Sequence, residues 1–265
     1  MLPRELRELL PAATVAAWAK VAGVAPDGSY LAGGTALAVH LLHRLSRDLD
    51  VFVDRDFDPG EVRRHLGRAG TLTVTLQTDG TLNGILDGTK VQFLRATQRP
   101  LDPMSTVAGL PVAGVRDLMA DKLKAVGDRG ELRDYFDLMS IEGAGVHRVE
   151  QGLAYYRERY EVGPDDTTLT HIVRGLGYLD DVNDDPGLPL RRDAIEAYWR
   201  ARHPDIARNL QSFSPVTGAP ATPLPPMRTA APGRSAGLCG APTTTGRPCR
   251  NPAGTCPHHG RTASG

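Results

Sequence analysis

Apolar residues recur with two different periods along this chain, and the change of period falls near residue 113. Before that point, a helical pattern over residues 3–22 precedes a strand, a helix and a strand that end near Asp54, and then a helix near residues 59–69. Three alternating segments predict antiparallel strands joined by tight turns, at Thr71–Gln77, Thr81–Leu86 and Thr89–Arg95. After Gly114 the period is helical and predicts helices at 115–126, 131–142, 146–160 and 190–202.

This change of period predicts an α/β (α+β) fold in consecutive regions. A mixed sheet with flanking helices is expected in residues 1–112, and a helical part in residues 113–210. Residues 211–238 are rich in Pro, Ala and Thr, which is typical of a disordered linker, and a small unit at 239–260 contains all three cysteines. At 265 residues and 40% hydrophobic content, the chain can bury one substantial core and a smaller helical part.

Charge and hydropathy exclude some classes of function. The sequence has no window of about twenty apolar residues, and its first residues lack the apolar core of a signal peptide. We therefore expect a soluble, cytoplasmic protein with no membrane partner. The formal net charge is zero, which gives no overall case for nucleic-acid binding and leaves room only for local basic patches.

Two carboxylates occupy alternate positions of a predicted strand, in Asp48-Leu-Asp-Val-Phe-Val-Asp54. The Val and Phe residues favour a strand, whose period of two points Asp48 and Asp50 to the same face. Two adjacent like charges favour a cation, and Mg²⁺ binds one or two carboxylates together with substrate phosphate oxygens. The pair therefore predicts a Mg²⁺ (or Mn²⁺) site for phosphoryl transfer. The alternative is an Asp-x-Asp that faces solvent on a strand edge.

A glycine pair lies upstream of these carboxylates. Gly33 and Gly34 let the backbone approach a ligand closely, and Thr35 opens an amphipathic helical run. Free N–H groups at the start of that helix would face the carboxylates, so a triphosphate could bind there. Taken alone, Gly-Gly-Thr is an ordinary turn from a strand to a helix.

The combined segment resembles the polymerase-beta-type nucleotidyltransferases, in which Gly-[Gly/Ser]-[Ser/Thr] is followed at a short distance by Asp-x-[Asp/Glu]. More narrowly, Ala-Gly-Gly-Thr-Ala-Leu with the later His43-Arg44-x-Ser46-x-Asp48-x-Asp50 resembles the AbiEii/AbiGii abortive-infection toxins, the enzymatic half of type IV toxin–antitoxin pairs. The resemblance implies a polymerase-beta-type sheet, an NTP substrate and a cognate antitoxin. It also implies that Arg44 and Ser46 contact the nucleotide, with a structural role as the alternative.

A second block, residues 117–138, resembles the later signature of the same family: a helix lysine, then Arg-Gly, then a basic residue and Asp-aromatic-x-Asp-Leu. On a helical wheel Lys122 falls inside an apolar stripe, whereas Lys124 lies on the opposite side with Asp117, Asp121 and Asp128. A buried lysine needs an acidic neighbour or an anionic ligand. The resemblance assigns Lys122 to the triphosphate, and a buried ion pair is the alternative.

The next predicted helix carries Asp134 and Asp137. The resemblance gives Asp134 a catalytic role, as a metal ligand or acceptor base, and Asp137 a supporting role at the substrate. Locally, the macrodipole favours Asp134 near the helix start, and Arg133 could pair with Asp137 four residues later. The wider superfamily places a third carboxylate on a later strand, where this chain has Gln92. Either Asp134 completes the site, two carboxylates suffice, or the chain is non-catalytic.

The last residues predict a separate metal site. Three thiolates and one imidazole form a tetrahedral Zn²⁺ set, and a segment this poor in apolar residues needs a metal to fold. A disulfide framework is the alternative, but the odd number of cysteines argues against it. The pattern resembles small zinc knuckles, and its basic residues could contact nucleic-acid phosphates. The proposed ligands are Cys239, Cys249, Cys256 and His259.

These patterns together predict a Mg-dependent nucleotidyltransferase. By resemblance, it is a toxin that transfers a nucleoside monophosphate from an NTP to RNA, with the acceptor end of tRNA as the expected target. Transfer to a protein side chain uses the same metal chemistry and is one alternative. A pseudo-enzyme that binds nucleotide or RNA without turnover is another.

Overall fold

A computed structural model describes residues 1–163 and 166–210. The predicted linker at 211–238 and the predicted zinc ligands Cys239, Cys249, Cys256 and His259 lie outside the described residues. The division between residues 1–112 and 113–210 stays a prediction.

The strands form one mixed sheet in the order β3-β4-β5-β2-β1-β7-β6. β2 runs parallel to β5 and antiparallel to β1, and β1 runs parallel to β7, while the two ends of the sheet are antiparallel hairpins. The predicted mixed sheet with flanking helices is thereby confirmed. The strands are β1 (Ser29–Ala32), β2 (Leu49–Val53), β3 (Leu72–Thr78), β4 (Thr81–Leu86), β5 (Thr89–Arg95), β6 (Ser105–Val107) and β7 (Leu110–Val112).

The central strands bury one set of alternate residues and leave the other set partly open. In β2, the side chains of Leu49, Val51 and Val53 are fully buried in the core, whereas Asp50 and Phe52 between them are only half-buried. β5 repeats the pattern, because apolar side chains at every second position join the core. The same sheet therefore supplies the core on one face and an accessible polar surface on the other.

Helices cover the sheet and form the second half of the chain. α6 is buried along almost its whole length, as its apolar positions on more than one side predict. No helix in the part of the chain that the structure describes is both long and apolar enough to cross a membrane. The helices are α1 (Arg4–Leu9), α2 (Ala12–Val24), α3 (Gly33–Leu41), α4 (Pro59–Ala69), α5 (Val115–Asp128), α6 (Leu132–Gly143), α7 (Val149–Tyr160), α8 (Thr168–Leu176) and α9 (Arg192–Leu210).

The single helix predicted over residues 3–22 is wrong, because the structure has two helices there. Leu10 adopts an extended conformation between them, with φ −84° and ψ 146°. It precedes Pro11, whose ring disfavours a helical conformation in the residue before it and whose nitrogen has no proton to donate. Pro11 instead caps the start of α2, a position where the missing N–H costs nothing.

Candidate functional site

An open cleft of about 710 Å³ lies over the polar face of the sheet. Its floor comes from alternate residues of β1, β2 and β5, and α5 and α6 supply side chains on the opposite side. The start of α3 and the loop before β2 close one end. The predicted site residues that line this cleft are Gly33, Gly34, Arg44, Ser46, Asp48, Asp50, Lys122 and Asp134.

Asp48 and Asp50 both open into the cleft from the start of β2. Asp48 directly precedes the strand, and Asp50 lies beside Gln92 of β5 in the parallel register. Burial and the neighbouring charge of Asp48 raise the pKa of the Asp50 carboxyl. Two carboxylates that repel each other in a half-buried position are the arrangement that a bound cation stabilises.

The two glycines of α3 leave room for these groups. Gly33 has a φ of +67°, and a Cβ placed on it would lie 2.3 Å from Oδ2 of Asp50. A Cβ on Gly34 would lie 2.5 Å from Nη2 of Arg44. No side chain caps the start of α3, so its first N–H groups are free of a capping partner next to the carboxylate pair. Glycine is therefore required here by close approach as well as by backbone conformation.

Thr35 holds the loop that carries the carboxylates. Its buried Oγ1 lies 2.8 Å from Oγ of Ser46 and 2.5 Å from the carbonyl oxygen of Asp48. These contacts fix the start of α3 against the residues just before β2. The hydroxyl groups of Thr35 and Ser46 thus contact each other, and Thr35 itself does not line the cleft.

Arg44 reaches across to α6 and pairs with Asp137. Arg44 donates from Nε to Oδ1 over 2.6 Å and from Nη2 to Oδ2 over 2.8 Å, a bidentate geometry. His43 Nε2 lies 2.8 Å from the same Oδ1. The Asp137 side chain is fully buried, and its partners hold its pKa well below the usual range despite burial. Asp137 thus does not line the cleft itself but contacts Arg44, which does, and its role at the substrate stays a prediction.

Lys122 is buried, as the helical wheel predicts, and it pairs with two carboxylates. Its Nζ lies 2.7 Å from Oδ1 of Asp134 and 2.7 Å from Oδ2 of Asp137. Burial alone would lower the pKa of the ammonium, but the two carboxylates outweigh it and raise this pKa. Lys124 is about two-fifths exposed and pairs with Asp128. The geometry matches the buried ion pair that the sequence left open as an alternative.

Asp134 is the third residue of α6 and belongs to its capping box. Its Oδ2 accepts a hydrogen bond of 3.3 Å from the backbone N–H of Glu131, the residue before the helix. Among residues 1–163 and 166–210, no group of three His, Cys, Asp or Glu side chains is placed to hold a metal ion. The described site thus has two adjacent carboxylates, and Asp134 is engaged by Lys122 instead.

The two α5 carboxylates that the helical wheel places opposite Lys122 pair with a distant arginine. Asp117 is buried, and its oxygens accept hydrogen bonds from the backbone N–H groups of Leu101 and Asp102. Arg159 of α7 pairs with both Asp117 and Asp121. The wheel gives only the side of α5 on which each residue lies, whereas the partner of these carboxylates is a buried arginine from a distant helix.

Several cleft residues were not singled out from the sequence. Period-two spacing from Asp50 and Gln92 would have found Phe52, Lys90 and Leu94, which line the same floor. Residues contributed by α7 and by the loop before α9 carry no such local signal. These are Arg159, Tyr160, Asp185, Gly187 and Leu188.

A glycine-to-alanine comparison tests the close approach at α3. We expect Gly33→Ala to abolish ligand binding in the cleft and to destabilise the fold by about 1–3 kcal/mol, because of the positive φ and the contact with Asp50. Gly67→Ala, in the exposed part of α4 with no atom within 4 Å of the new Cβ, should be neutral or stabilising. Urea unfolding of both variants measures the difference. Equal stabilities would contradict the argument.

Comparison with known families gives a match over most of the chain. The family model for the nucleotidyl transferase AbiEii toxin of type IV toxin–antitoxin systems matches residues 23–95 and 84–222. An uncharacterised protein of Aquifex aeolicus (strain VF5) is 27% identical over 191 residues, which cover 69% of this chain and 87% of that protein.

Two of the solved structures to which this chain is similar are bacterial proteins. JHP933 from Helicobacter pylori has a TM-score of 0.49 and 16% identity, and the match covers 80% of this chain and 96% of that chain. MenT4, a nucleotidyltransferase toxin from Mycobacterium tuberculosis H37Rv, has a TM-score of 0.49 and 18% identity, with 80% and 88% of the two chains covered.

Proposed function

Because the chain belongs to the AbiEii nucleotidyltransferase toxin family of type IV toxin–antitoxin systems, we propose that it transfers a nucleoside monophosphate from an NTP to RNA. The family implies an NTP substrate and a cognate antitoxin. The acceptor end of tRNA is the acceptor that we propose within the RNA class. The observation that supports transfer chemistry in this chain is the pair Asp48 and Asp50, which faces the glycine-lined start of α3 inside one open cleft.

The residues present fit a divalent metal. Asp48 and Asp50 supply two carboxylates without a paired cation within ion-pairing distance among the described residues. Burial, and then repulsion by Asp48, raise the pKa of the Asp50 carboxyl. Mg²⁺ is commonly held by one or two carboxylates together with substrate phosphates and water. When bound, Mg²⁺ or Mn²⁺ would neutralise phosphate charge and align the reacting oxygens. On sequence grounds alone, we also propose a structural Zn²⁺ on Cys239, Cys249, Cys256 and His259.

The cleft would act mainly by position and charge. The free N–H groups at Gly33 and Gly34 would bind phosphate oxygens. Asp48 and Asp50 would hold the divalent metal ion, whose positive charge would allow the α-phosphate to lie near the two carboxylates for an in-line attack. The acceptor hydroxyl oxygen forms a bond to the α-phosphorus, and the bond from that phosphorus to the bridging oxygen breaks. Pyrophosphate leaves with the electron pair, and the hydroxyl proton passes to water.

The ion pair between Lys122 and Asp134 supports the geometry of the cleft. The pair joins α5 to the start of α6, and Asp137 connects it to Arg44 beside Gly34. We propose that the network sets the width of the cleft above the metal site. In this proposal Asp134 acts as a positioning residue, and its role as a metal ligand or acceptor base is the alternative carried over from the family.

Labelling distinguishes the acceptors. Purified full-length protein is incubated with each α-labelled NTP, Mg²⁺, and either total tRNA or total cell protein. We expect label on RNA with at least one NTP, and no label when Mg²⁺ is removed with a chelator. Label on protein alone would establish the alternative acceptor. No label on either would favour the non-catalytic alternative. The observation that suggests this alternative is Gln92, which lies beside Asp50 where the wider superfamily has a third carboxylate.

A further inference from the structure

The chain has four lysines, and three of them form ion pairs with carboxylates. Lys20 pairs with Asp87 on the surface, Lys122 pairs with two buried carboxylates, and Lys124 pairs with Asp128. Within the described ranges, Lys90 has no carboxylate at ion-pairing distance. It is exposed, and it lines the same cleft as the carboxylate pair.

The register of the sheet places Lys90 next to the metal-binding candidates. Gln92 of β5 lies directly beside Asp50 of β2, and Lys90 precedes Gln92 by two residues, so both side chains leave the same face of the strand. Leu49 pairs with Val91, so continuing this register by one residue sets Lys90 beside Asp48, across the spacing of about 4.8 Å between neighbouring strands. Burial and the charge of Asp48 raise the pKa of Asp50, and two lysines oppose this rise. Consistent with its placement, Lys90 opposes it more strongly than Lys122 does.

Among the described cations that line the cleft, Lys90 and Arg47 have no carboxylate at ion-pairing distance, whereas the others are paired. Lys122 was the sequence-based candidate for triphosphate charge, but each of its short contacts goes to a buried carboxylate. Leaving them would remove the nearest cation of Asp134 and one of the cations that pair with Asp137. Arg129 and Arg133 both pair with Glu131. A flexible ammonium on the strand that flanks Asp48 and Asp50 can instead follow the departing group.

We propose that Lys90 is the cation that binds the β- and γ-phosphates of the donor NTP and neutralises the pyrophosphate as it leaves. This inference rests on the proposed function. As the bond from the α-phosphorus to the bridging oxygen breaks, that oxygen gains the electron pair and negative charge. Lys90 stabilises this charge through hydrogen bonds and keeps its own protons, so no further reactant is required.

Pyrophosphate itself is the probe that tests this assignment apart from turnover. Isothermal titration of the full chain with pyrophosphate and Mg²⁺ should show binding that Lys90→Met weakens by about ten- to a hundredfold and Lys90→Arg largely restores. Lys20→Met, which removes a lysine from the outer surface, is the matched control and should bind as the unmodified chain does. In the transfer assay, Lys90→Met should raise KM for NTP and lower kcat, with the KM for RNA unchanged.

These outcomes distinguish a failure of the Lys90 assignment from a failure of the proposed function. If the chain binds pyrophosphate through Lys90 but labels no acceptor, the proposed transfer function is contradicted and the assignment of Lys90 is supported. Unchanged pyrophosphate affinity in Lys90→Met, or no pyrophosphate binding by the unmodified chain, would overturn it. A variant that loses affinity only for RNA would also overturn it, because Lys90 would then contact the acceptor.

Discussion

Asp48→Asn and Asp50→Asn should each reduce nucleotide transfer by about a thousandfold or more, which corresponds to roughly 4 kcal/mol of barrier. Each substitution replaces a negatively charged, metal-binding carboxylate with a neutral amide of nearly the same size. In the absence of metal, the variants should be as stable as the unmodified chain or more stable, because one of two repelling charges is gone. Single-turnover rates and urea unfolding measure the two effects.

Asp54→Asn is the control for these variants. Asp54 immediately follows β2, pairs with Arg55 at an exposed position, and does not line the cleft. We expect unchanged transfer and a stability change within about 0.5 kcal/mol. Normal turnover by both cleft variants would remove the catalytic assignment of the pair, whatever the control shows.

Lys122→Met should lower the free energy of unfolding by about 3–5 kcal/mol, because it leaves Asp134 and Asp137 buried without their shared cation. The methionine keeps most of the apolar stem, so packing is largely preserved. Lys124→Met should change stability by no more than about 0.5 kcal/mol, since its pair with Asp128 is exposed. Urea unfolding at neutral pH compares the two variants.

The double variant Lys122→Met with Asp134→Asn sharpens this test. It removes the charge of Asp134, whose nearest cation is Lys122, so it should be more stable than Lys122→Met alone. If Lys122→Met is as stable as Lys124→Met but inactive, the charge serves the reaction and the network assignment is wrong. If it is destabilised but active under conditions where it stays folded, the catalytic role carried over from the family is wrong.

Sequence reasoning succeeded where the signal was local. The alternation that placed Asp48 and Asp50 on one face, and the helical period that turned Lys122 inward, depend only on backbone geometry, which the structure reproduces. The same reasoning placed Gln92 at the strand position where the wider superfamily has a third carboxylate. In the structure, Gln92 lies beside Asp50 in the strand register.

Some secondary structure was missed because its signals were weak or were not used. α8 buries Leu169, Ile172, Val173 and Leu176 at helical spacing, so its pattern was present in the sequence. The β6–β7 hairpin turns through Ala108 and Gly109 with φ of 48° and 85°. Alanine is a rare residue at positive φ, so the usual Asn-Gly or Asp-Gly signal for this turn is missing.

Long-range ion pairs could not be predicted from the sequence. The partner of Asp137 is Arg44, which lies 93 residues earlier, and not the nearby Arg133. Arg133 instead pairs with Glu131. Helical spacing identifies which side chains could meet within one helix, but it contains no information on which distant loop packs against that helix.

The buried charges shared by Arg44, Lys122, Asp134 and Asp137 also constrain how this protein can evolve. A change at one of these positions leaves an uncompensated charge in the interior, so it is tolerated only together with a change at a partner. Natural variation at the four positions should therefore be concerted, and swapping segments between relatives would succeed only when both halves of the network come from the same parent.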